Sequence, residues 1–267
     1  MMKSASIGVF DSGIGGLSVW NELIREIPGE SMIYLADSAN APYGTKSRSF
    51  IVNRSRAITK FLIAQGCMLI VVACNTATGA AISTLRKEFD IPFIGVEPAV
   101  KPAALASKTG HIGVLATAQT FKGEHFKRSI KLYSHSVELH EKAGTGLVEL
   151  IEGGMIDSPE TRELLNGYLQ PMVEKGIDQL VLGCTHYPFL IPIIREILPA
   201  GITIIDPAPA VARHTRKVLE ENHALDSGSD DSEYRFYTTG DPLNLKHFLF
   251  QLTGEVYEVS SATGLKP

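Results

Sequence analysis

The sequence predicts an α/β fold of two pseudo-symmetric, doubly wound parallel-sheet lobes. Short aliphatic runs alternate with segments whose apolar residues recur at helical spacing, which is typical of parallel strands covered by helices. Two of these runs, 69–74 and 180–184, end alike, with a cysteine followed by small polar residues. The first strand recurs as well, since Ile7-Gly-Val-Phe is echoed by Ile112-Gly-Val-Leu. Two matches in the same order indicate a duplicated lobe.

The elements of the first lobe follow from their residues in order. β-Branched and aliphatic runs predict strands, and apolar residues three or four positions apart predict helices. We therefore expect strands at 7–11, 32–36, 69–74 and 91–96, helices at 17–27, 47–65 and 78–89, and a polar loop at 37–45.

The boundary between the lobes is predicted at 97–102, where two prolines interrupt regular structure. The second lobe repeats the pattern up to 203–207. The remaining segments are a helix at 209–222, an acidic exposed loop at 226–233, and a strand (234–238) and helix (242–252) that return to the first lobe. These boundaries give lobe A as 1–97 plus 207–267, with Asp11 and Cys74, and lobe B as 98–206, with Cys184 and His186.

Composition excludes several classes of protein. The net charge of −4 gives no reason to expect a nucleic-acid partner. No window approaches the roughly 18 apolar residues that a membrane span needs, and the N-terminus shows no secretory apolar segment. Three cysteines are too few for a disulfide framework, so we expect a reducing cytoplasm that keeps the thiols available.

The two strand-end cysteines are the strongest functional signal. Open α/β sheets bind ligands beyond the carboxyl ends of their strands, where Cys74 and Cys184 are expected. Amides at a helix start and nearby hydroxyls stabilise a thiolate at such a position. One thiol in each lobe indicates a matched pair of acid/base groups acting on one ligand in the cleft between the lobes. Cys67, at the far end of its strand, is predicted to be a core residue.

The segment Asp11-Ser-Gly-Ile-Gly-Gly16 predicts a turn that binds a small anion. Its glycines let backbone N–H groups approach a ligand at a helix start. A dinucleotide fingerprint would need glycine at position 18, where the chain has Ser18, so no nucleotide cofactor is expected. The alternative interpretation is a tight turn in which Asp11 is only a helix cap.

Two side chains are candidate proton partners for the thiols. His186 lies two residues beyond Cys184, and Asp11 could serve Cys74 from the neighbouring strand. No metal site is predicted, because the cysteines lack C-x-x-C spacing and the eight histidines show no ligand cluster in the sequence.

Four segments together resemble the glutamate racemase family of the aspartate/glutamate racemase superfamily. They are Asp11 to Gly16, Ala36-Asp37 leading to Pro42-Tyr43-Gly44, Ala73-Cys-Asn-Thr-Ala77, and Gly183-Cys-Thr-His-Tyr-Pro188. They occur in the family's order, and the resemblance covers about residues 7–254. Relatives elsewhere in the superfamily share the two cysteines but tend to lack the Cys-Thr-His-Tyr-Pro form.

The resemblance implies cofactor-independent racemisation of glutamate in the cytoplasm, by a homodimer, for peptidoglycan synthesis. It also implies the site residues. The implied acid/base groups are Cys74 and Cys184, with Asp11, His186 and Glu152 in support, and the implied substrate-binding residues are Asp11, Ser12, Tyr43, Gly44, Asn75, Thr76, Thr185 and His186. Glu152 aligns less closely than the others, since the chain has Gly144-Thr145 where some members have Cys-Pro.

Three other interpretations stay open from the sequence. A superfamily relative could act on aspartate or another acid. A cysteine hydrolase could use Cys184 with His186, which would leave Cys74 without a role. A two-lobed binding protein could hold an acidic ligand without exchanging its α-hydrogen.

Overall fold

A computed structural model describes residues 6–133, 136–225 and 232–265, and the chain divides into two compact units. Unit 1 consists of Met1–Val96 and Ala208–Pro267, and unit 2 consists of Glu97–Pro207. Unit 1 is therefore discontinuous in sequence. Its second stretch follows the whole of unit 2.

Unit 1 is built on a six-stranded parallel sheet. Its strands are β1 (Ser6–Asp11), β2 (Met32–Ala36), β3 (Cys67–Val72), β4 (Phe93–Gly95), β9 (Tyr234–Thr238) and β10 (Val259–Ser261). They lie in the order β10-β9-β2-β1-β3-β4, and every pairing is parallel. The helices are α1 (Leu17–Glu26), α2 (Arg48–Ala64), α3 (Asn75–Glu88), α10 (Ala208–Glu221) and α11 (Pro242–Thr253).

The strand order explains where the helices of unit 1 pack. The chain moves from β1 to β2 on one side and then crosses back to β3 on the other. Right-handed crossovers in these opposite directions put α1 and α2 on opposite faces of the sheet. The observed packing agrees, since α1 contacts α10 and α2 contacts α3. The core between sheet and helices includes Phe10, Leu35, Ile58, Leu62 and Val72, all fully buried.

Unit 2 repeats the arrangement with a four-stranded parallel sheet. Its strands are β5 (His111–Ala116), β6 (Glu138–Ala143), β7 (Gln179–Gly183) and β8 (Thr203–Ile205), in the order β6-β5-β7-β8. Its helices are α4 (Val100–Ala106), α5 (Ala118–Lys122), α6 (Glu124–Tyr133), α7 (Leu147–Glu152), α8 (Pro159–Glu174) and α9 (Ile191–Ile197). The order β6-β5-β7-β8 matches β2-β1-β3-β4 of unit 1 strand for strand, so the predicted doubly wound, pseudo-symmetric fold class is confirmed.

The structure differs from the predicted elements at two places, and a third prediction stays untested. Helix α3 begins at Asn75 rather than near position 78, so Cys74 caps it directly. Strand β10 follows α11, where the sequence predicted no element. The predicted acidic loop at 226–233 lies outside the described residues as far as position 231. In the ranges that the structure describes, no helix combines the length and the apolar character needed to cross a bilayer.

A buried ion pair fixes the loop after β2. The Asp37 carboxylate is fully buried, and it accepts two hydrogen bonds from the Arg54 guanidinium at 2.6 and 3.0 Å. It also accepts bonds from the hydroxyl groups of Tyr43 (2.6 Å) and Thr239 (2.9 Å). A further N–H of Arg54 donates to the carbonyl oxygen of Leu265 at 2.8 Å. The segments that follow β2 and β9, helix α2 and the C-terminal segment are thus tied to one ion pair.

Removing the positive partner of this pair should destabilise the protein strongly. In Arg54→Met the Asp37 carboxylate stays buried without its counter-charge, which typically costs about 3–5 kcal/mol. We expect that loss in the free energy of unfolding, measured by urea denaturation followed by circular dichroism.

Arg56→Met is the matched control, because Arg56 lies on the same helix but pairs with Glu88 at the surface. Exposed ion pairs contribute little to stability. Equal effects of the two substitutions would contradict a structural role for the buried pair.

Candidate active site

Cys74 lies at the carboxyl edge of the unit 1 sheet, two residues after β3 ends. It is the N-cap of α3, and its Sγ accepts a hydrogen bond from the backbone N–H of Ala77 at 3.4 Å. Ser12 Oγ is 3.8 Å from the same sulfur. A backbone N–H directed at sulfur stabilises the thiolate form. Cys74 is only 5% exposed, so this contact is largely shielded from water.

The turn at 11–16 lies beside this cysteine because β1 pairs with β3. Asp11 ends β1, and its Oδ2 accepts hydrogen bonds from the N–H groups of Gly13 (3.3 Å) and Gly16 (2.9 Å). A side chain at Gly16 would lie 2.6 Å from Asp11 Cβ, so the turn requires glycine there. The Asp11 carboxylate therefore holds the turn that leads into α1, whose N-cap residue is Gly16, and its predicted role toward Cys74 stays a prediction.

Asn75 and Thr76 open α3 and are both buried. Among the described residues neither Oδ1 nor Nδ2 of the Asn75 side chain has a hydrogen-bond partner. A buried polar group left in this state typically costs about 1–3 kcal/mol. The amide next to Cys74 is therefore well suited to bind a polar ligand.

Tyr43 and Gly44 lie in a short 3₁₀ turn, Tyr43–Thr45, held by the Asp37 network. Tyr43 is buried and belongs to the same core cluster as Cys74. Burial, the Asp37 carboxylate and the nearby Cys74 together raise the pKa of Tyr43 well above its ordinary value. The phenol is therefore neutral at physiological pH and acts as a hydrogen-bond donor.

Cys184 occupies the equivalent place in unit 2, immediately after β7. Its Sγ is 3.8 Å from Nδ1 of His186, whose Nε2 is 2.6 Å from Oε1 of Glu152 at the end of α7. From the sequence, helix-start amides were predicted at both cysteines. Here a 3₁₀ turn, Tyr187–Leu190, follows instead of a helix, and an imidazole lies beside the sulfur.

His186 is fully buried between a thiol and a carboxylate. Burial alone would lower its pKa, but the contacts with Cys184 and Glu152 outweigh that effect and raise the pKa of His186 well above its ordinary value. The imidazole is therefore favoured in its protonated form next to the Cys184 sulfur. The sulfur of Cys184 thus lies next to an imidazole, whereas the sulfur of Cys74 lies next to a backbone N–H group.

Tyr187 was not among the predicted site residues, although it lies in the quoted Gly183-to-Pro188 segment. Its ring is buried, and its hydroxyl donates to the carbonyl oxygen of Gly144 at 3.2 Å. A Cβ at Gly144 would collide with that hydroxyl group, which explains glycine at this position. Tyr187 thus anchors the turn that precedes α7, the helix that carries Glu152.

Each unit contains its own set of predicted site residues. Thr185, the residue after Cys184 in unit 2, is buried. Unit 1 holds Asp11, Ser12, Tyr43, Gly44, Cys74, Asn75 and Thr76, and unit 2 holds Glu152, Cys184, Thr185 and His186. Cys67 is a core residue as predicted, and burial raises the pKa of its thiol to about 12.

The prediction that the histidines form no ligand cluster is wrong. In unit 2 the structure brings together His111, Glu138 and His140, with their possible ligand atoms within 4.8 Å of one another. Spacing in sequence did not reveal this group because its members come from two paired strands, β5 and β6. The alternation Glu138-Leu-His140 was the available signal, since residues two apart share a face of a strand.

Comparison with known proteins gives a consistent result. The profile of the Asp/Glu/Hydantoin racemase family matches residues 7–215. The glutamate racemase of Stutzerimonas stutzeri is 47% identical over 94% of this chain and 95% of its own length.

Two solved structures extend the similarity to the fold. The glutamate racemase isoform RacE1 of Bacillus anthracis has a TM-score of 0.90 at 31% identity, covering 99% of this chain and 100% of that one. The Escherichia coli glutamate racemase, solved with L-glutamate and the activator UDP-MurNAc-Ala, has a TM-score of 0.85 at 32% identity, covering 96% and 97%. The chain belongs to the Asp/Glu/hydantoin racemase family and, within it, to the glutamate racemases.

Proposed function

We propose that this protein is an isomerase that interconverts L- and D-glutamate by acid/base catalysis with two thiols. The observation that carries the proposal is the repeated placement of a buried cysteine after the equivalent strand of each sheet, β3 and β7. The relatives named glutamate racemase support the choice of substrate, as does the L-glutamate in the Escherichia coli structure. No observation favours the hydrolase or the binding protein.

In the proposed reaction Cys74 and Cys184 each serve one face of the α-carbon. One cysteine, as thiolate, removes the α-hydrogen as a proton, and the C–H electron pair stays on the substrate as a carbanion delocalised into its carboxylate. The other cysteine, as thiol, donates its proton to the opposite face and forms the new C–H bond. The two groups end with exchanged protonation states, and the reverse reaction starts from that state.

The supporting residues give each thiol a different stabilising contact. His186, protonated and held by Glu152, stabilises the thiolate of Cys184 by charge. The N–H of Ala77 and the hydroxyl group of Ser12 lie next to the Cys74 sulfur. For Asp11 we propose a second role besides holding the turn before α1, in which its carboxylate tunes Cys74 from the adjacent strand β1.

Substrate binding relies on preorganised polar groups. The unpartnered amide of Asn75 supplies both a donor and an acceptor. Ser12, Tyr43, Gly44, Thr76, Thr185 and His186 complete the proposed set. Donors fixed in a site that excludes water stabilise developing negative charge without reorganisation. That is why we propose that the reaction needs no cofactor.

We propose that the product, D-glutamate, is used in peptidoglycan synthesis, and that the protein acts in the cytoplasm as a homodimer. A reducing compartment fits the three buried free thiols.

Racemisation in deuterated water tests the use of two opposed thiols. The proton removed from L-glutamate stays on one cysteine, while the other, equilibrated with solvent, delivers deuterium. Early D-glutamate should therefore carry deuterium at the α-carbon while unreacted L-glutamate stays largely protiated, as measured by mass spectrometry. Early product that retains the substrate's hydrogen would show that a single base serves both faces.

Substitution of each cysteine tests the assignment of residues. Cys74→Ala and Cys184→Ala should each lower turnover by at least about 10²–10⁴-fold, the usual contribution of one acid/base group. Cys67→Ala is the matched control and should keep most of the activity, because Cys67 lies in the core. The measurement is circular dichroism of glutamate without added cofactor, and substantial turnover by either active-site variant would rule out the scheme.

Glu152→Gln tests the protonation state of His186. The substitution removes a negative charge that raises the pKa of His186, so the imidazole pKa, followed by NMR, should fall. Because the pKa of His186 is raised in the folded protein, protonation of His186 stabilises the folded state. This stabilisation is complete at pH values below about 6.5, the ordinary pKa of an imidazole, and it is lost as the pH rises through the raised pKa. The stability penalty of Glu152→Gln should therefore be larger at mildly acidic pH than at alkaline pH.

Glu149→Gln on the same helix is the control, because Glu149 is exposed. We expect it to leave the His186 titration unchanged. Identical titrations of the wild-type protein and Glu152→Gln would argue against the contact between Glu152 and His186.

A further inference from the structure

The side-chain group His111, Glu138 and His140 lies at the amino ends of β5 and β6. The register of the two parallel strands pairs His111 with Glu138 and Gly113 with His140. Paired residues and residues two apart project from the same face of a sheet, so all three side chains share one face.

The rings of His111 and His140 are stacked, and the possible ligand atoms of the three side chains lie within 4.8 Å of one another. His111 Nδ1 and His140 Nε2 are 3.0 Å apart. The Glu138 carboxylate oxygens lie 3.7 Å from the first nitrogen and 3.9 Å from the second. Two nitrogens bound to one zinc ion, each at about 2.0–2.1 Å, are separated by about 3.0–3.4 Å. Small side-chain movements would therefore place the three ligand atoms around a single ion.

We propose that His111 Nδ1, His140 Nε2 and the Glu138 carboxylate bind a divalent transition-metal ion of the zinc class, with solvent completing the coordination. Two imidazoles and one carboxylate suit zinc, whereas calcium and magnesium prefer oxygen ligands alone. The glutamate charge compensates part of the ion's charge.

The hydrogen bond between the rings shows what binding would require. One of the two nitrogens, His111 Nδ1 or His140 Nε2, carries the shared proton. For both nitrogens to bind the ion, that proton must move to the other nitrogen of the same ring, which is a change of tautomer.

The position of the group indicates a structural role for the ion. β6 is an edge strand of its sheet, held by β5 alone. An ion shared by His111 of β5 and His140 of β6 would link the two strands. Cys184 follows the carboxyl end of β7, at the opposite end of the same sheet, so the ion would stabilise unit 2 without entering the proton transfer.

Zinc titration by isothermal calorimetry tests the proposal on tag-free protein. The Cys74→Ala/Cys184→Ala protein is used because active-site thiols also bind zinc, and Cys67 is a poor ligand with its raised pKa. We expect one zinc ion per chain. Adding His140→Gln should weaken the affinity by at least about tenfold, since even loss of an outer-shell partner has that effect. His247→Gln, a histidine on α11, is the matched control and should leave the affinity unchanged.

A second measurement uses thermal unfolding. Zinc should raise the melting temperature of the Cys74→Ala/Cys184→Ala protein and should not raise it once His140→Gln is added, because an ion that binds only the folded state stabilises it. If His140→Gln fails to fold, Glu138→Gln provides the same comparison. The Glu138 side chain is 68% exposed, so its substitution disturbs no core packing. Absence of zinc binding, or binding unaffected by these substitutions, would overturn the proposal.

Discussion

The parallel direction of the strands is the constraint on which both units depend. In a parallel sheet every strand ends at the same edge, and the segments that follow the strands gather there. Asp11, Asp37 and Cys74 each come at or just after the end of a strand of unit 1. Cys184 has the same relation to β7 in unit 2. The fold therefore brings both cysteines and the polar residues next to them to one edge of their sheets, while the strands supply much of the core.

The two halves place equivalent thiols in unequal surroundings. Cys74 is held by neutral donors, while Cys184 lies beside an imidazole that is buried against a carboxylate. The difference comes from local structure, because α3 starts directly after Cys74 whereas Pro188 lies in a 3₁₀ turn after Cys184. At Cys74 the observed contact is a backbone N–H of the helix start, and at Cys184 it is the imidazole of His186. The two units thus share the position of the cysteine but differ in the group that contacts its sulfur.

The sequence predicted what depends on local pattern. Aliphatic runs revealed the strands and their cysteines, and the repeated motif revealed the symmetry. Glu152 entered only through family resemblance, because its contact with His186 depends on how α7 packs. The histidine pair of β5 and β6 could not be found from spacing, since its geometry arises from strand register. Likewise the five-residue arrangement around Asp37 joins segments more than two hundred positions apart, from Asp37 to Leu265.

The discontinuity of unit 1 has a consequence for the order in which the protein matures on the ribosome. Unit 2 is a single stretch, Glu97–Pro207, and is fully synthesised before α10, β9, α11 and β10 exist. Until then the nascent first stretch presents the edge of β2, which later pairs with β9. An unpaired strand edge is a site of aggregation. The stretch Ala208–Pro267, which is translated after unit 2, therefore completes the sheet that the stretch before unit 2 began.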